Sequence, residues 1–331
     1  MASKDRRGPP QADEPPPTAL EASENHYKPV VGLGQASLDF LGIVPRYPPE
    51  DAKCELLELK VQGGGPAATA IVTLSRLGVQ TAFIGAVGDD EFGPLIRQGL
   101  IEEGVDVSRL ITAPGGTSQL AFIAVEPSRQ TRTIFWHAGM GTGMSPEKLD
   151  LDFIRRARLI HLDGLKLEAS LMAARTGRDH DIPVVFDAGT LRQGYLELVR
   201  LTHYLICSER FFRAFYEGPD IKAGLKKLRA LGPTQAVVTM GREGSHGFDG
   251  KIHHHQPACQ VLVLDTTGAG DVYHGAYIYG ILAGWDMPEC MRFASAAAAL
   301  KCTRLGGRSG IPKLEELQAF LAAHSTMKTS S

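Results

Sequence analysis

The sequence predicts an α/β protein: a three-layer α/β/α sandwich with a mostly parallel sheet and a small β-sheet lid. Two observations carry this prediction. Apolar runs typical of buried strands alternate with segments of helical period over most of the chain, and repeated βα units form a parallel sheet covered on both faces. Two further runs, 117–126 and 131–139, alternate apolar and polar residues around a short turn, which is typical of a separate hairpin.

The predicted strands are apolar or alternating runs that end at glycine, proline or polar residues. The first covers 27–40 and ends in a loop with Asp39 exposed near its end, because the prolines at 45, 48 and 49 exclude a helix directly afterwards. The others lie at 55–61, 81–88, 157–164, 182–189, 203–208 and 234–241, and 244–255 forms a hairpin that turns at Asp249 and Gly250.

The predicted helices have apolar residues at helical spacing, and several end at a glycine. They lie at 67–78, 91–104, from about 168 onward, and at 191–201, 209–218, 221–232, 277–284, 290–303 and 314–324. The proline- and charge-rich residues 1–27 are predicted to be a disordered tail. With a short tail at 326–331, this leaves one folded domain at 28–325, and its lid is expected at about 39–62 and 111–137.

The composition excludes several classes of function. The formal net charge of −2 and the pI of about 6.6 provide no basic field for nucleic acid or a membrane surface. Five scattered cysteines without a CxxC pair argue against a disulfide framework or a zinc site and favour a reducing, cytoplasmic setting. No apolar run is long enough for a transmembrane helix.

The stretch "DTTGAGD", from Asp265 to Asp271, carries the clearest chemistry. Glycines before a helix let backbone N–H groups converge at its positive end, which makes an anion site. An acid beside a bound phosphate is useful if it takes a proton from an attacking hydroxyl. The helix end is expected to lower the pKa of Asp271, and the Thr266 hydroxyl is expected to anchor the turn. The alternative is a simple helix cap.

Other glycine-bearing turns follow predicted strands or helices. "VTMGREGS" brings Gly241 and Gly244 after a strand, where they can lie against a nucleotide phosphate. "CTRLGGRSGIP", with Arg304 and Arg308, is on its own most simply a solvated loop. On the N-terminal side, "GGGPAATA" opens a helix, and acids nearby in sequence can accept hydrogen bonds from sugar hydroxyls. These acids are Asp39 and Asp51, and Asp163 ends a later strand, where ligand sites of α/β sheets cluster.

Together these motifs resemble the ribokinase/phosphofructokinase-B family of carbohydrate kinases over about 30–321. "DTTGAGDVYHGA", "GGGPAATA" and "RFASAAAALKCTRLGGRSGIP" are most similar to its sulfofructose kinase branch, and "YPPED", "TRTI" and "IHLDG" to its ketohexokinase branch. The resemblance implies a ribokinase-like fold and ATP-dependent phosphorylation of a sugar hydroxyl. It also implies Mg²⁺ with the nucleotide, K⁺ as a further cofactor, and a homodimer formed through the lid.

The resemblance assigns roles by position. Asp271 is the implied catalytic base, and the backbone amides of Gly268, Ala269 and Gly270 are the implied anion hole. The implied substrate residues are Asp39, Asp51, Lys53, Gly63, Gly64, Gly65 and Asp163. The implied nucleotide residues are Ser208, Thr239, Gly241, Gly244 and Ser295, with Ser208 and Phe211 where the family often has an Asn-x-x-Glu that organises Mg²⁺. The implied monovalent-cation residues are Asp265, Thr267, Lys301, Arg304, Gly306 and Gly310.

Two other functions are compatible with the same motifs. One is a nucleoside kinase of the same family. The other is a non-catalytic sugar-binding sensor that has kept the fold, against which the intact Asp271 and its Gly-Ala-Gly neighbours argue.

Overall fold

A computed structural model describes residues 27–325 of the chain, and apart from Tyr27 the two predicted tails lie outside the described residues. Thirteen strands form two sheets. Their bounds are β1 Val30–Leu33, β2 Ser37–Ile43, β3 Glu58–Gly64, β4 Thr81–Gly88, β5 Leu110–Ala113, β6 Gln119–Glu126, β7 Thr131–His137, β8 Leu159–Leu162, β9 Val184–Ala188, β10 Tyr204–Ser208, β11 Gln235–Thr239, β12 Ser245–Phe248 and β13 His253–Gln256.

The large sheet has nine strands in the order β13-β12-β11-β10-β9-β8-β1-β4-β5. Seven of them, from β11 to β5 in this order, run parallel, and β12 and β13 add an antiparallel hairpin at one edge. The predicted mostly parallel sheet is therefore confirmed. In a parallel sheet the carboxyl ends of the strands lie along one edge, so loops distant in sequence meet there.

Ten α-helices and three short 3₁₀ turns complete the described part of the chain. The α-helices are α1 Pro66–Arg76, α2 Phe92–Glu102, α3 Leu151–Arg155, α4 Leu167–Asp179, α5 Tyr195–Leu201, α6 Glu209–Phe215, α7 Ile221–Ala230, α8 Ala269–Leu282, α9 Met287–Cys302 and α10 Leu314–Ser325. None of these helices meets the length and hydropathy that a membrane span requires.

Two apolar cores lie on opposite faces of the large sheet, which accounts for the three layers. Successive residues of a strand point to opposite faces, so Leu159 enters the core beneath α1, α8 and α9, while Ile160 enters the core beneath α4 to α7. Helix α8 is apolar nearly all round because it packs against both α1 and α9 as well as the sheet. This burial fixes the start of α8, where the "DTTGAGD" motif ends.

The small sheet has the order β3-β2-β6-β7 and forms the lid. Strand β2 pairs antiparallel with β3 and parallel with β6, and β6 and β7 form the predicted hairpin. Two expectations need correction. Residues 110–113 pair with β4 in the large sheet, so the predicted lid range 111–137 begins too early. The predicted strand at 27–40 is broken at residues 34–36, and its second part crosses into the lid, where Asp39 is buried rather than exposed.

Candidate active site

The "DTTGAGD" segment folds as a tight loop that leads into α8. Gly268 is the N-cap residue and has a left-handed conformation with φ of 74°, which favours glycine. The Asp265 carboxylate anchors the loop, because its Oδ1 accepts hydrogen bonds from the Thr267 amide at 2.8 Å and the Thr267 hydroxyl at 2.7 Å. The expectation that Thr266 anchors the turn is therefore wrong. Its hydroxyl instead accepts a hydrogen bond from Arg132 of β7 at 2.5 Å.

The first turn of α8 leaves amides available to an anion. The Ala269 amide donates to the Thr266 carbonyl oxygen at 3.2 Å, so it is already engaged within the loop. Among the described residues, no hydrogen bond uses the amides of Gly268 and Gly270. Gly270 is exposed, and a Cβ added to it would meet nothing within 4 Å. A phosphate oxygen can therefore approach this backbone closely.

Asp271 lies in the first turn of α8 and is partly exposed. Desolvation by the surrounding protein raises its pKa, and the nearby carboxylates of Asp39 and Asp163 raise it further, while Arg132 and Lys301 oppose the shift. The expected lowering of this pKa by the helix end is therefore outweighed. The higher pKa makes the ionised carboxylate a stronger base.

The glycines at 63–65 make room for a buried carboxylate. Asp39 is 6% exposed in β2, and its Oδ1 accepts a hydrogen bond from the Ser37 hydroxyl at 2.7 Å. A Cβ at Gly64, on the paired strand β3, would lie 2.1 Å from the Asp39 Oδ2. Burial raises the pKa of Asp39, and the charge of Arg308 opposes this shift.

Arg308 joins the C-terminal loop to the same glycines. Its guanidinium donates to the Gly64 carbonyl oxygen at 3.1 Å and is 4% exposed. A Cβ at Gly63 would lie 2.1 Å from the Arg308 Nη1. The prediction of a solvated loop is therefore wrong for this arginine, although Arg304 is exposed as a solvated loop requires.

Asp163 clamps the backbone at the start of α1. Its carboxylate accepts hydrogen bonds from the amides of Gln35 at 2.8 Å, Leu165 at 2.9 Å and Ala67 at 3.4 Å. Gly65 precedes α1 with φ of 92°, and a Cβ there would lie 2.3 Å from the Gln35 carbonyl oxygen. These contacts position the glycine segment, and they occupy the carboxylate that sequence reasoning assigned to the substrate.

Asp51 and Lys53 lie in the exposed loop between β2 and β3. No hydrogen bond or ion pair within residues 27–325 joins either of them to the other predicted site residues.

A cavity of about 670 Å³ lies beside the start of α8. It brings together Thr239, Gly241, Gly244 and Ser295, the predicted nucleotide residues other than Ser208, with Gly270. Gln130 and Arg132 of the lid hairpin line the same cavity. Its volume suits a nucleotide-sized ligand.

Ser208 has a structural task at the start of α6. Its hydroxyl donates to the Gly189 carbonyl oxygen at 2.6 Å and accepts from the Phe211 amide at 3.1 Å, which caps the helix. Glu209 is exposed and pairs with Arg213 at 3.4 Å. Within the described residues, no group of three or more acidic, histidine or cysteine side chains could hold a metal ion.

Sequence reasoning missed a group of buried, hydrogen-bonded residues behind the "DTTGAGD" loop. The His274 Nδ1 donates to the Gly270 carbonyl oxygen at 2.7 Å, and its Nε2 lies 3.3 Å from both an Asp187 oxygen and the Ile206 carbonyl oxygen. Burial lowers the pKa of His274 and raises the pKa of Asp187. Because the Gly270 carbonyl shares a peptide plane with the Asp271 amide, His274 fixes the orientation of that amide. The position of Asp187 near the end of a predicted strand was the sequence signal that could have identified this group.

Most of the predicted cation residues lie close together, but they surround the side chain of Lys301. The Lys301 Nζ donates to the Asp265 carbonyl oxygen at 2.7 Å, and the Gly306 amide donates to the Asp265 Oδ2 at 2.7 Å. Arg304 contributes an exposed side chain, and Gly310 packs closely against the backbone of Lys301.

Known proteins with similar sequences are sugar kinases by name. A family model described as pfkB family carbohydrate kinase matches residues 28–314. A 5-dehydro-2-deoxygluconokinase of Clostridium perfringens is 29% identical over 330 residues, which cover 91% of this chain and 95% of the relative. An ATP-dependent ribose-1-phosphate kinase of Halopiger xanaduensis is 28% identical and covers 88% of this chain and 98% of the relative.

Solved structures agree with the fold. A crystal structure from Agrobacterium tumefaciens superimposes with a TM-score of 0.85 at 29% identity and covers 90% of this chain and 99% of the other. The Arabidopsis thaliana ribokinase complexed with ribose and ATP gives a TM-score of 0.77 at 25% identity, with 89% and 98% covered. The ribokinase-like α/β fold predicted from the sequence is therefore confirmed. With the family model spanning nearly all of the described residues, the chain belongs to the pfkB family of carbohydrate kinases.

Proposed function

We propose that this kinase transfers the γ-phosphoryl group of ATP to a hydroxyl of a small sugar, with Asp271 as the general base. One observation carries this proposal: the Asp271 carboxyl, with its raised pKa, adjoins two unengaged amides between the nucleotide-sized cavity and the buried Asp39. An acid in such a position serves proton transfer better than phosphate binding, because a carboxylate repels a phosphate.

The proposed step uses Asp271, Asp39, Arg132 and the amides at the start of α8. Asp271 takes the proton of the sugar hydroxyl, the new bond forms between that oxygen and the γ-phosphorus, and the bond to the β-phosphate oxygen breaks to release ADP. The amides of Gly268 and Gly270 and the Arg132 guanidinium stabilise the charge on the transferring group. Asp39 accepts hydrogen bonds from sugar hydroxyls, and the glycines at 63–65 let the sugar lie against the backbone.

Trp136 of the lid is a further residue that we propose contacts the sugar. The strand register places Gln62, Asp39, Ala121 and Trp136 in one row across the lid sheet, so Trp136 shares the face that carries Asp39. The indole is 60% exposed and is available to cover a sugar ring when the lid closes. Closure would also keep water from competing for the γ-phosphoryl group.

ATP is the proposed phosphoryl donor, and the ATP-bound ribokinase relative supports it. Mg²⁺ would bind mainly through the nucleotide phosphates and water, since Ser208 caps a helix and Glu209 pairs with Arg213. When bound, it would neutralise phosphate charge.

The test is steady-state phosphorylation of a substrate panel with Asp271→Asn as the variant. The panel contains fructose and other ketoses, sulfosugars, ribose, ribose 1-phosphate, 5-dehydro-2-deoxygluconate and nucleosides. We expect one sugar to be turned over, and Asp271→Asn to lower kcat by at least about 10²-fold, the low end for general base contributions.

Three outcomes contradict parts of this proposal. A variant that keeps most of the wild-type kcat would exclude Asp271 as the base. Turnover of nucleosides in preference to sugars would favour the nucleoside kinase alternative. Sugar binding without any turnover by the wild type would favour a sensor.

A homodimer through the lid is the proposed assembly. The outer face of the lid sheet carries Leu59, Val61, Phe122 and Phe135, which are between 48% and 62% exposed. A contiguous apolar sheet face of this kind marks an interaction surface. We expect the wild type to be a dimer by light scattering and Phe122→Lys to be a monomer. Ile252→Lys, at a similarly exposed turn, is the control and should remain a dimer. A monomeric wild type would contradict this assembly.

A further inference from the structure

Lys301 lies at the end of α9 with no exposed surface. Its ammonium donates to the Asp265 carbonyl oxygen at 2.7 Å and lies 3.9 Å from the Asp265 Oδ2. A buried ammonium paired in this way is a fixed positive charge directly behind the catalytic loop.

The backbone segments around this ammonium are those that the family resemblance assigns to a monovalent cation. Asp265 and Thr267 come from the catalytic loop, and Gly306 and Gly310 come from the loop after α9. These segments already satisfy one another, because both carboxylate oxygens of Asp265 accept hydrogen bonds from them. A Cβ at Gly310 would lie 2.4 Å from the Lys301 carbonyl oxygen, so the two segments also pack closely.

A bound potassium ion does not fit this arrangement. It would need the Asp265 carbonyl oxygen that Lys301 already uses, and it would lie next to a like charge in a buried site. The expected K⁺ site is therefore not supported by the side chains present.

We propose that the Lys301 ammonium takes the place of a monovalent cation and makes this kinase independent of K⁺. The fixed charge holds the Asp265 carbonyl and thereby the loop whose amides face the phosphoryl group. Lys301 is thus a positioning residue, because it acts through Asp265 and the loop. This inference rests on the proposed kinase function for its activity measurement but not for its binding measurement.

The first experiment uses the full-length wild-type protein with ATP, MgCl₂ and the best sugar of the panel. Chlorides of tetramethylammonium, sodium and potassium are compared at constant ionic strength. We expect kcat/KM to differ by less than about twofold among them, whereas an enzyme that needs K⁺ would lose about tenfold or more without it, the effect of 1.4 kcal/mol.

Two variants at the same position separate charge from packing. Lys301→Ala removes the charge and leaves room for an ion, so we expect low activity in tetramethylammonium that K⁺ restores in a saturable manner. Lys301→Met removes the charge but fills the space, so K⁺ should not restore the activity of this variant. If Lys301→Ala fails to fold, the wild-type comparison still decides the proposal.

Thermal unfolding gives a readout that needs no turnover, because an ion that binds only the folded state raises Tm. K⁺ should raise the Tm of Lys301→Ala and leave the Tm of the wild type equal to its value in tetramethylammonium. Activation of the wild type by K⁺, or a K⁺-specific rise in its Tm, would overturn the proposal. Absence of turnover with every panel substrate would instead contradict the proposed function, and the Tm comparison would still test Lys301.

Discussion

Gly64→Ala tests whether the glycine segment exists to accommodate Asp39. The added Cβ would lie 2.1 Å from the Asp39 Oδ2, and real Cβ contacts are almost never shorter than 3.0 Å, so the carboxylate must retreat by roughly 0.9 Å. Gly64 has no positive φ, so the backbone itself accepts alanine. The perturbation therefore acts on one side chain of the proposed sugar site.

The size of the effect follows from the hydrogen bond that is lost. A hydrogen bond to a charged group contributes about 1.5–3 kcal/mol. At 1.4 kcal/mol for each factor of ten, displacement of Asp39 should raise the KM for the sugar by about 10- to 150-fold. The crowding should cost about 1–3 kcal/mol of folding free energy, which lowers Tm by several degrees without unfolding the protein.

The assay measures KM for the sugar and for ATP in the same preparations, together with Tm. We expect the KM for ATP to stay within about twofold of the wild-type value, a change under 0.5 kcal/mol, because the nucleotide cavity does not include Gly64. Gly143→Ala is the matched control, since that glycine is exposed and a Cβ there meets nothing within 4 Å.

A double-mutant cycle provides the refutation. In an Asp39→Ala background the clashing carboxylate is absent, so Gly64→Ala should add little to the loss. If Gly64→Ala raises the sugar KM as strongly in that background as in the wild type, the effect does not run through Asp39. An unchanged sugar KM in the single variant would be equally contrary to the reasoning.

Three further predictions concern the start of α8. Because the pKa of Asp271 is raised to about 7 and only its ionised form accepts a proton, kcat/KM should fall about tenfold per pH unit on the acid side of that value. A pH–rate profile that stays flat on that acid side would contradict this. Arg132→Met should lower kcat by about 10²-fold, as loss of one transition-state donor does, with partial recovery in Arg132→Lys; equal kcat for Met and wild type would exclude the role of Arg132. His274→Phe should lower kcat about fivefold at unchanged KM values, since one hydrogen bond contributes about 1 kcal/mol. His161→Phe is the control, because it removes a buried ring without a hydrogen-bond partner among the described residues, and it should not change kcat. Equal losses of kcat in His274→Phe and His161→Phe would point to packing alone.

Much of the large sheet followed from the sequence because its signals are local. Apolar runs bounded by glycine and proline predict strands, and helical spacing predicts the helices between them, so the βα order could be predicted without any partner residue. The hairpin at β6 and β7 was equally accessible, since both strands and their turn are adjacent in the chain.

The errors arose where distant segments meet. Asp39 lies in a strand whose burial depends on the lid, and residues 110–113 join the large sheet through β4, which no local pattern reveals. The raised pKa of Asp271 likewise depends on burial by the folded protein and on carboxylates from two other segments. Arg308 was assigned to a solvated loop because its burial requires contact with Gly64.

The contact between Arg308 and Gly64 spans 244 positions of the chain. Arg76 of α1 makes a comparable connection to the Arg308 carbonyl oxygen at 2.8 Å across 232 positions. During synthesis the glycine edge leaves the ribosome long before the residue that completes it, and contacts of such high sequence separation form late in folding. The edge formed by Gly63 and Gly64 therefore lacks its guanidinium partner in a nascent chain until residue 308 has been synthesised and has folded back onto it.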